Sequence, residues 1–173
     1  MFKIAIIRSM GLLSFPGKIL RALFGKPRSF SVGESFESYA RKYLFTERHF
    51  ELLQKTHGYR SPKKNFVPST DPDFKFRDKR NGKIFFVEAK YRKSFFKGQV
   101  TWCTGNQLLS YQQRNRECPV FILLGVGGNP DRPAFVSLIP LKQANFTILF
   151  KSHAEKYAIH FKKVVASRAL WKR

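Results

Sequence analysis

Asp73, Glu88 and Lys90 are the residues whose types and spacing could do chemistry, in a chain where acidic side chains are scarce: 11 Asp plus Glu against 33 Lys plus Arg. Glu88 and Lys90 lie in Lys83 to Lys90, Lys-Ile-Phe-Phe-Val-Glu-Ala-Lys, whose aromatic and β-branched content reads as a strand. Residues two apart on a strand project together, so Glu88 and Lys90 share a face while Ala89 turns away into packing. Asp73 opens an alternating segment, Asp-Phe-Lys-Phe-Arg, and Asn81-Gly82 between the two segments is the strongest short hairpin signal. A two-residue turn there pairs Arg80 with Lys83, sets Asp73 opposite Lys90 and Lys75 opposite Glu88, and brings both carboxylates and the amine to one face. A five-residue loop from Asp78 to Gly82 would instead pair Arg77 with Lys83 and turn Asp73 to the other face.

Two carboxylates and an amine near strand ends suit a hard divalent cation, because Mg²⁺ takes oxygen ligands and keeps waters that a phosphate oxygen can replace. Lys90 beside them could orient the attacking water or neutralise charge building on the phosphorane, so the chemistry suggested is phosphodiester hydrolysis. Three residues alone read more readily as a surface salt bridge in the hairpin of a basic protein than as a catalytic site.

Wider context adds to the three. Pro72-Asp73 followed by Glu88-Ala89-Lys90 resembles the PD-(D/E)xK signature of the restriction-endonuclease-like nuclease superfamily. Upstream, Gly33-Glu34-Ser35-Phe36-Glu37 resembles the Gly-x-x-Phe-Glu start of that family's first core helix, and the resemblance gives Glu37, or less well Glu34, the role of supporting the metal. Downstream, Gln107-Leu108-Leu109-Ser110-Tyr111 resembles a Gln-x-x-x-Tyr segment on the second core helix, which would put Gln107 near the active-site lysine and Tyr111 beside it or on the DNA backbone. The likeness spans about residues 31 to 140. It implies Asp73 and Glu88 as metal ligands, Lys90 positioning or activating water, Mg²⁺ with Mn²⁺ as substitute, and products ending in a 5′ phosphate. The family also holds degenerate forms that only bind, so a non-catalytic nucleic-acid-binding protein is the alternative.

The elements that must position these residues can be read around them. Phe36, Tyr39, Ala40, Tyr43, Leu44, Leu52 and Leu53 predict one long helix ending near His57-Gly58, with Ser31 as N-cap and Glu34 completing a capping box. Tyr59 to Ser69 reads as a basic loop carrying Arg60, Lys63 and Lys64, and the family's first strand would have to lie within Tyr59 to Thr70. A loop with Tyr91, Arg92, Lys93, Phe95, Phe96, Lys97, Gly98 and Trp102 follows the Glu88 strand. Arg92, Lys93 and Lys97 are expected phosphate contacts, through charge rather than base readout. Thr104 to Arg116 reads as a second helix. Pro119 to Val126 is too apolar for a one-sided sheet and is expected as a central strand, with Ala134 to Ile139 another. The expected fold class is α/β: a restriction-endonuclease-like core with a mixed central sheet flanked by helices.

Length and charge bound the rest. At 173 residues the chain fits one domain with appendages, and 43% hydrophobic residues suffice for a core. Residues 1-30 are expected as a basic, helical, amphipathic N-terminal arm, 31-150 as the nuclease-like core and 151-173 as a basic C-terminal extension, strand or helix. The arm packs on the domain, touches phosphates or lies on an anionic membrane surface; Arg8 and the Pro16-Gly17 break argue against a spanning helix. A net charge of +22 calls for a polyanion, nucleic acid before a ribosome-bound role or an anionic membrane surface that would satisfy the same charge; DNA is the expected partner, and two strands to cut suggest a homodimer. Cys103 and Cys118, with no CxxC pair, argue against a disulfide scaffold, a zinc ribbon or an iron–sulfur cluster, and point to inert thiols in a reducing, cytoplasmic setting, nucleoid-associated in a bacterium. Gly125-Val126-Gly127-Gly128 lacks the Lys-Ser/Thr of a phosphate loop, and the four His lack zinc-protease spacing, so both read as structural.

Overall fold

The computed structural model of the chain describes residues 28–56 and 71–171. Helix α1 (Arg28–Tyr39) runs into one wider π-helical turn (Ala40–Leu44), after which the chain reverses into β1 (Phe50–Lys55). The hairpin β2 (Phe74–Asp78) and β3 (Ile84–Arg92) follows, then short β4 (Gln99–Thr101) and helix α2 (Gly105–Glu117). Strands β5 (Val120–Asn129), β6 (Arg132–Pro140) and β7 (Ile148–Phe150) lead to two short helices, α3 (Lys151–Glu155) and α4 (Ser167–Trp171). The main sheet has the order β1-β2-β3-β5-β6. Among the described strands only the β3–β5 contact is parallel, and the connection between those strands carries β4 and α2.

The sheet separates two apolar layers by strand alternation. Phe74, Phe76, Phe85, Val87, Phe121 and Leu123 face α1, where Phe36, Tyr39, Ala40 and Leu44 are buried against them. Phe86, Ile122 and Leu124 face the other way, onto Trp102 and Tyr111. β5 is therefore buried on both sides, which explains its unbroken apolar run. It is an interior strand; the centre of the sheet is β3. Gly125 is required where α1 crosses β5, since a Cβ there would lie 2.4 Å from the Phe36 ring.

Several sequence expectations are corrected. The predicted long helix ends by Leu44, and Leu52 and Leu53 belong to β1: their spacing fits a helix, but Leu52 pairs with Phe76 and Leu53 falls at a bulge in the β1–β2 ladder. The first strand among the described residues, β1, precedes residues 59 to 70, which lie outside them. Ser31 sits inside α1, not at its cap, while a capping box does form at Thr104 and Gln107. The hairpin register is neither of the two alternatives: Arg77 pairs with Ile84 and the Asp78 N–H donates to Lys83 O, leaving a four-residue loop closed by Gly82 N–H on Asp78 O, with Gly82 at φ +72°. Part of the expected loop after β3 is ordered as a tight hairpin, Phe96-Lys97-Gly98-Gln99, with positive φ at Lys97 and Gly98 leading into β4.

The segment expected as a C-terminal extension closes the core. Val165 and Leu170 are buried in the α1-side layer, and the Trp171 ring meets Phe85 and Phe121 edge-on. Its anchor is Asp78, fully buried at the end of β2, which accepts from Arg80, Ser167 and the Trp171 indole. Burial alone would raise the Asp78 pKa, but those hydrogen bonds prevail and lower it to about 2. The N-terminal arm, apart from Arg28 to Phe30 in α1, lies outside the described residues.

Candidate active site

β2 and β3 bring Asp73, Glu88 and Lys90 together, in the face expected but by a different register. Phe74 pairs with Val87, so one step further Asp73 stands opposite Glu88, and directly opposed residues of an antiparallel pair share a face. Two hydrogen bonds fix the crossing: the Asp73 N–H donates to Glu88 Oε2 at 3.2 Å, and the Ala89 N–H donates to Asp73 Oδ2 at 2.8 Å. Lys90 Nζ forms an ion pair with Glu88 Oε1. The end of β1 holds the turn into β2, with the Thr56 N–H on Asp73 O at 2.8 Å and the Thr56 hydroxyl on Pro72 O at 2.9 Å.

The cluster is rich in charge, with Asp73 and Lys90 half-buried. Glu88 is 2% exposed. The Asp73 carboxyl is held well above the usual carboxylate range by burial first, then by the negative charges of Glu88 and Glu37, which outweigh the opposing pull of Lys90. Burial works against the Lys90 ammonium, yet Glu88 and Asp73 prevail and raise its pKa, so it stays protonated at neutral pH. Burial, only partly countered by Lys90, pushes the neighbouring Cys103 thiol up to about 11, in keeping with an inert thiol.

The other anticipated residues divide. Glu37 is paired with Lys55 at 2.9 Å and acts on Asp73 through its field; among the described residues, no three acidic, His or Cys side chains form a ligand cluster. Gln107 does not hold Lys90: its side-chain oxygen accepts from the Thr104 N–H as the far half of the α2 capping box. Tyr111 is 1% exposed and out of reach of a DNA backbone; its ring stacks on Trp102 with centroids 6.0 Å apart and its hydroxyl is hydrogen-bonded to Glu88. Burial and Glu88 raise its pKa far beyond the ordinary phenol value. Arg92 is spent inside the protein, donating to the carbonyls of Tyr91, Thr101 and Trp102. Lys93 and Lys97 are exposed as a phosphate contact requires, whereas Trp102 is fully buried. Arg60, Lys63 and Lys64 lie outside the described residues.

Sequence reasoning missed Lys55 and Thr56. Both sat within what looked like the end of a helix, so neither had a strand partner to suggest a role. It also missed that Tyr111 faces inward, although its position four residues after Gln107 puts both on one side of α2.

Comparison with known proteins bears on the fold. No protein-family model and no curated protein matches the sequence. Among solved structures the chain is similar to Hjc of Archaeoglobus fulgidus, a Holliday junction resolvase from an archaeal hyperthermophile, with a TM-score of 0.51 at 13% identity over 74% of this chain and 90% of that one. The five-stranded mixed sheet flanked by helices is the restriction-endonuclease-like fold that the residues led us to expect.

Proposed function

We propose that the chain is a metal-dependent nuclease that hydrolyses DNA phosphodiester bonds, with branched DNA as its preferred substrate class. The observation that carries the reading is the opposition of Asp73 and Glu88 on one sheet face with Lys90 beside them. Solvated salt bridges are worth little and need no burial, yet here a nearly buried Glu88 receives Lys90, a backbone N–H and the Tyr111 hydroxyl. The similarity to a Holliday junction resolvase supports the fold on which such a site would sit and suggests junctions as the first substrates to try.

The donor set fits a hard divalent cation, Mg²⁺ or Mn²⁺. Two carboxylates are pressed together with the Glu37 charge nearby, and burial first, then the charges of Glu88 and Glu37, raise the Asp73 pKa against the pull of Lys90. Asp73 and Glu88 would hold the ion, with Glu37 adding to the field. When bound, such an ion polarises the phosphodiester and stabilises the leaving oxygen. The chain's own residues do the remaining work. Tyr111 and the Asp73 N–H keep Glu88 oriented, the Ala89 N–H keeps Asp73 oriented, and the protonated Lys90 ammonium can donate to a water or a phosphoryl oxygen as charge develops. Exposed Lys93 and Lys97, on the segment directly after β3, would hold the DNA backbone by charge.

The test is a panel of end-labelled single-stranded, duplex, flapped and four-way-junction DNA incubated with Mg²⁺, Mn²⁺ or EDTA. Cutting that needs the metal and favours the branched substrates is the expected result. No cutting of any substrate, with tight salt-sensitive binding retained, would overturn it in favour of a protein that only binds nucleic acid.

A further inference from the structure

The ribbon of β4 and β7 covers the core with one face and offers the other to solvent. Val100 and Leu149, opposite each other, are buried against Trp102. The outward row is set by register: Phe96 bonds to Gln99 across its tight turn, Gln99 pairs with Phe150, and Thr101 pairs with Ile148, so these side chains share one face. Phe96 and Phe150 on that row, with Phe146 two residues before Ile148, are 75%, 56% and 77% exposed, whereas the phenylalanine rings of β1, β2 and β5 are buried. Open rings gathered on one face mark a surface for contact.

The face is not bare hydrocarbon. Beside the rings runs a groove of about 840 Å³, lined by Leu108, Phe146 and Phe150 and edged by the amides of Gln99, Gln143 and Asn145. Cations stand around it. Lys97 Nζ lies over the Phe96 ring, 5.5 Å from its centroid. Exposed Lys151 directly follows Phe150, its N–H on Gly98 O at 2.8 Å and its ammonium in a solvated pair with Glu155 at 3.7 Å. Flat rings, amide donors and acceptors, and flanking ammonium groups match in turn the face, the edge and the phosphate of a nucleotide. A duplex leaves the rings unused, because its bases are already stacked on one another. A lipid surface would use the rings and the lysines, but would draw three amides out of water with no partner.

The face also adjoins the acidic cluster. The Trp102 indole N–H donates to Phe146 O at 2.7 Å, the Trp102 ring stacks on Tyr111, and the Tyr111 hydroxyl is hydrogen-bonded to Glu88. Two rings thus connect the Phe146 backbone to Glu88. We propose that this face is a platform for unpaired bases, with Phe146 and Phe150 stacking on bases whose phosphates Lys97 and Lys151 hold, so that the chain selects DNA carrying unpaired nucleotides beside the cut over fully paired DNA. The selection in cutting rests on the nuclease reading above; the stacking of bases does not.

Binding of the full chain in Ca²⁺ to oligothymidine, to a sugar-phosphate strand of the same length without bases, and to duplex DNA tests it. The expected result is oligothymidine bound about 10- to 100-fold more tightly than the abasic strand at equal salt. Phe146→Leu with Phe150→Leu keeps apolar bulk at two exposed positions and removes the aromatic faces. It should erase that advantage while leaving the salt slope, the duplex affinity and the melting temperature unchanged. Equal affinity for the two single strands overturns the proposal, as does a base preference that the double variant keeps or a variant that loses duplex affinity in step. A chain without base preference that sediments with phosphatidylglycerol vesicles, and ceases to in the double variant, would overturn it in favour of a membrane contact. None of these outcomes needs cleavage, so a base preference in a chain that cuts no DNA would sink the nuclease reading and leave the platform standing.

Discussion

Tyr111 separates a built site from an accidental meeting of charges. Its hydroxyl reaches Glu88 from a ring that is otherwise wholly enclosed, so Tyr111→Phe removes one hydrogen bond and almost no packing. We expect the fold to lose only about 1 kcal/mol. Cleavage, by contrast, should fall about 10- to 100-fold and the half-saturating Mn²⁺ concentration should rise, as happens when the partner that orients a ligand is lost. Melting and metal-titrated cleavage of the same preparation check both. Arg92 makes the opposite case. Because its guanidinium is committed to three backbone carbonyls, Arg92→Ala should destabilise the chain by about 2–3 kcal/mol while leaving the slope of log affinity for DNA against log salt unchanged; Lys97→Ala should leave stability alone and reduce that slope by about one. Sequence alone gave both residues the same role, since a basic side chain after the active-site strand looks alike whether it points to solvent or to carbonyls.

At the scale of elements, the hairpin carries the site at one end and the C-terminal anchor at the other. Asp78 terminates β2, and the short α4 is tied to it through Ser167 and Trp171. Its folded pKa of about 2 lies below the ordinary value of 3.8, so its contribution to stability is complete above about pH 4 and is lost as the pH falls toward 2. The depression corresponds to about 2 kcal/mol. Asp78→Asn should cost a comparable amount at neutral pH and flatten the stability profile between pH 4 and 2, measured by urea melts. The site-bearing face was legible because period-2 alternation holds in both strands, and two different registers give the same face: Asp73 opposite Lys90, as first counted, or opposite Glu88, as found. The true loop length was not legible, because it is set by Asp78 accepting from Gly82 across the turn, and an Asn-Gly pair fits a four-residue loop as well as a two-residue one. Leu52 and Leu53 misled for a related reason: a short amphipathic strand after a helix can continue the helical period by chance, and only its pairing with β2 distinguishes it.

The whole molecule is a strongly basic chain that gathers several of its few acids, Asp73, Glu88 and Glu37, at one place. Its charge of +22 gives DNA affinity that should fall steeply and linearly in log–log form with salt, whatever the site does. Residues 1 to 27 contribute Lys3, Arg8, Lys18, Arg21 and Lys26 and no acid, so removing them should reduce the salt slope while sparing cleavage. Loss of all activity in a truncation that still melts cooperatively would instead make that segment part of the site. The general fold was readable because four motif-bearing stretches follow one another in the right order. The C-terminal segment was not, since its few apolar residues, Val164, Val165, Leu170 and Trp171, carry no clear period and are drawn inward by Asp78 and the aromatic layer beneath it.

The central claim is that Glu88 serves cleavage and not the hold on DNA. It is tested most directly by measuring cutting and binding on the same labelled junction, with Mn²⁺ for cutting and Ca²⁺ for binding, for the wild type and for Glu88→Ala. The account predicts cleavage lost by at least about 1,000-fold, with affinity equal or higher because a carboxylate has been removed from beside the phosphate. A folded Glu88→Ala protein that still cuts, or one that loses binding in step with cutting, would contradict it.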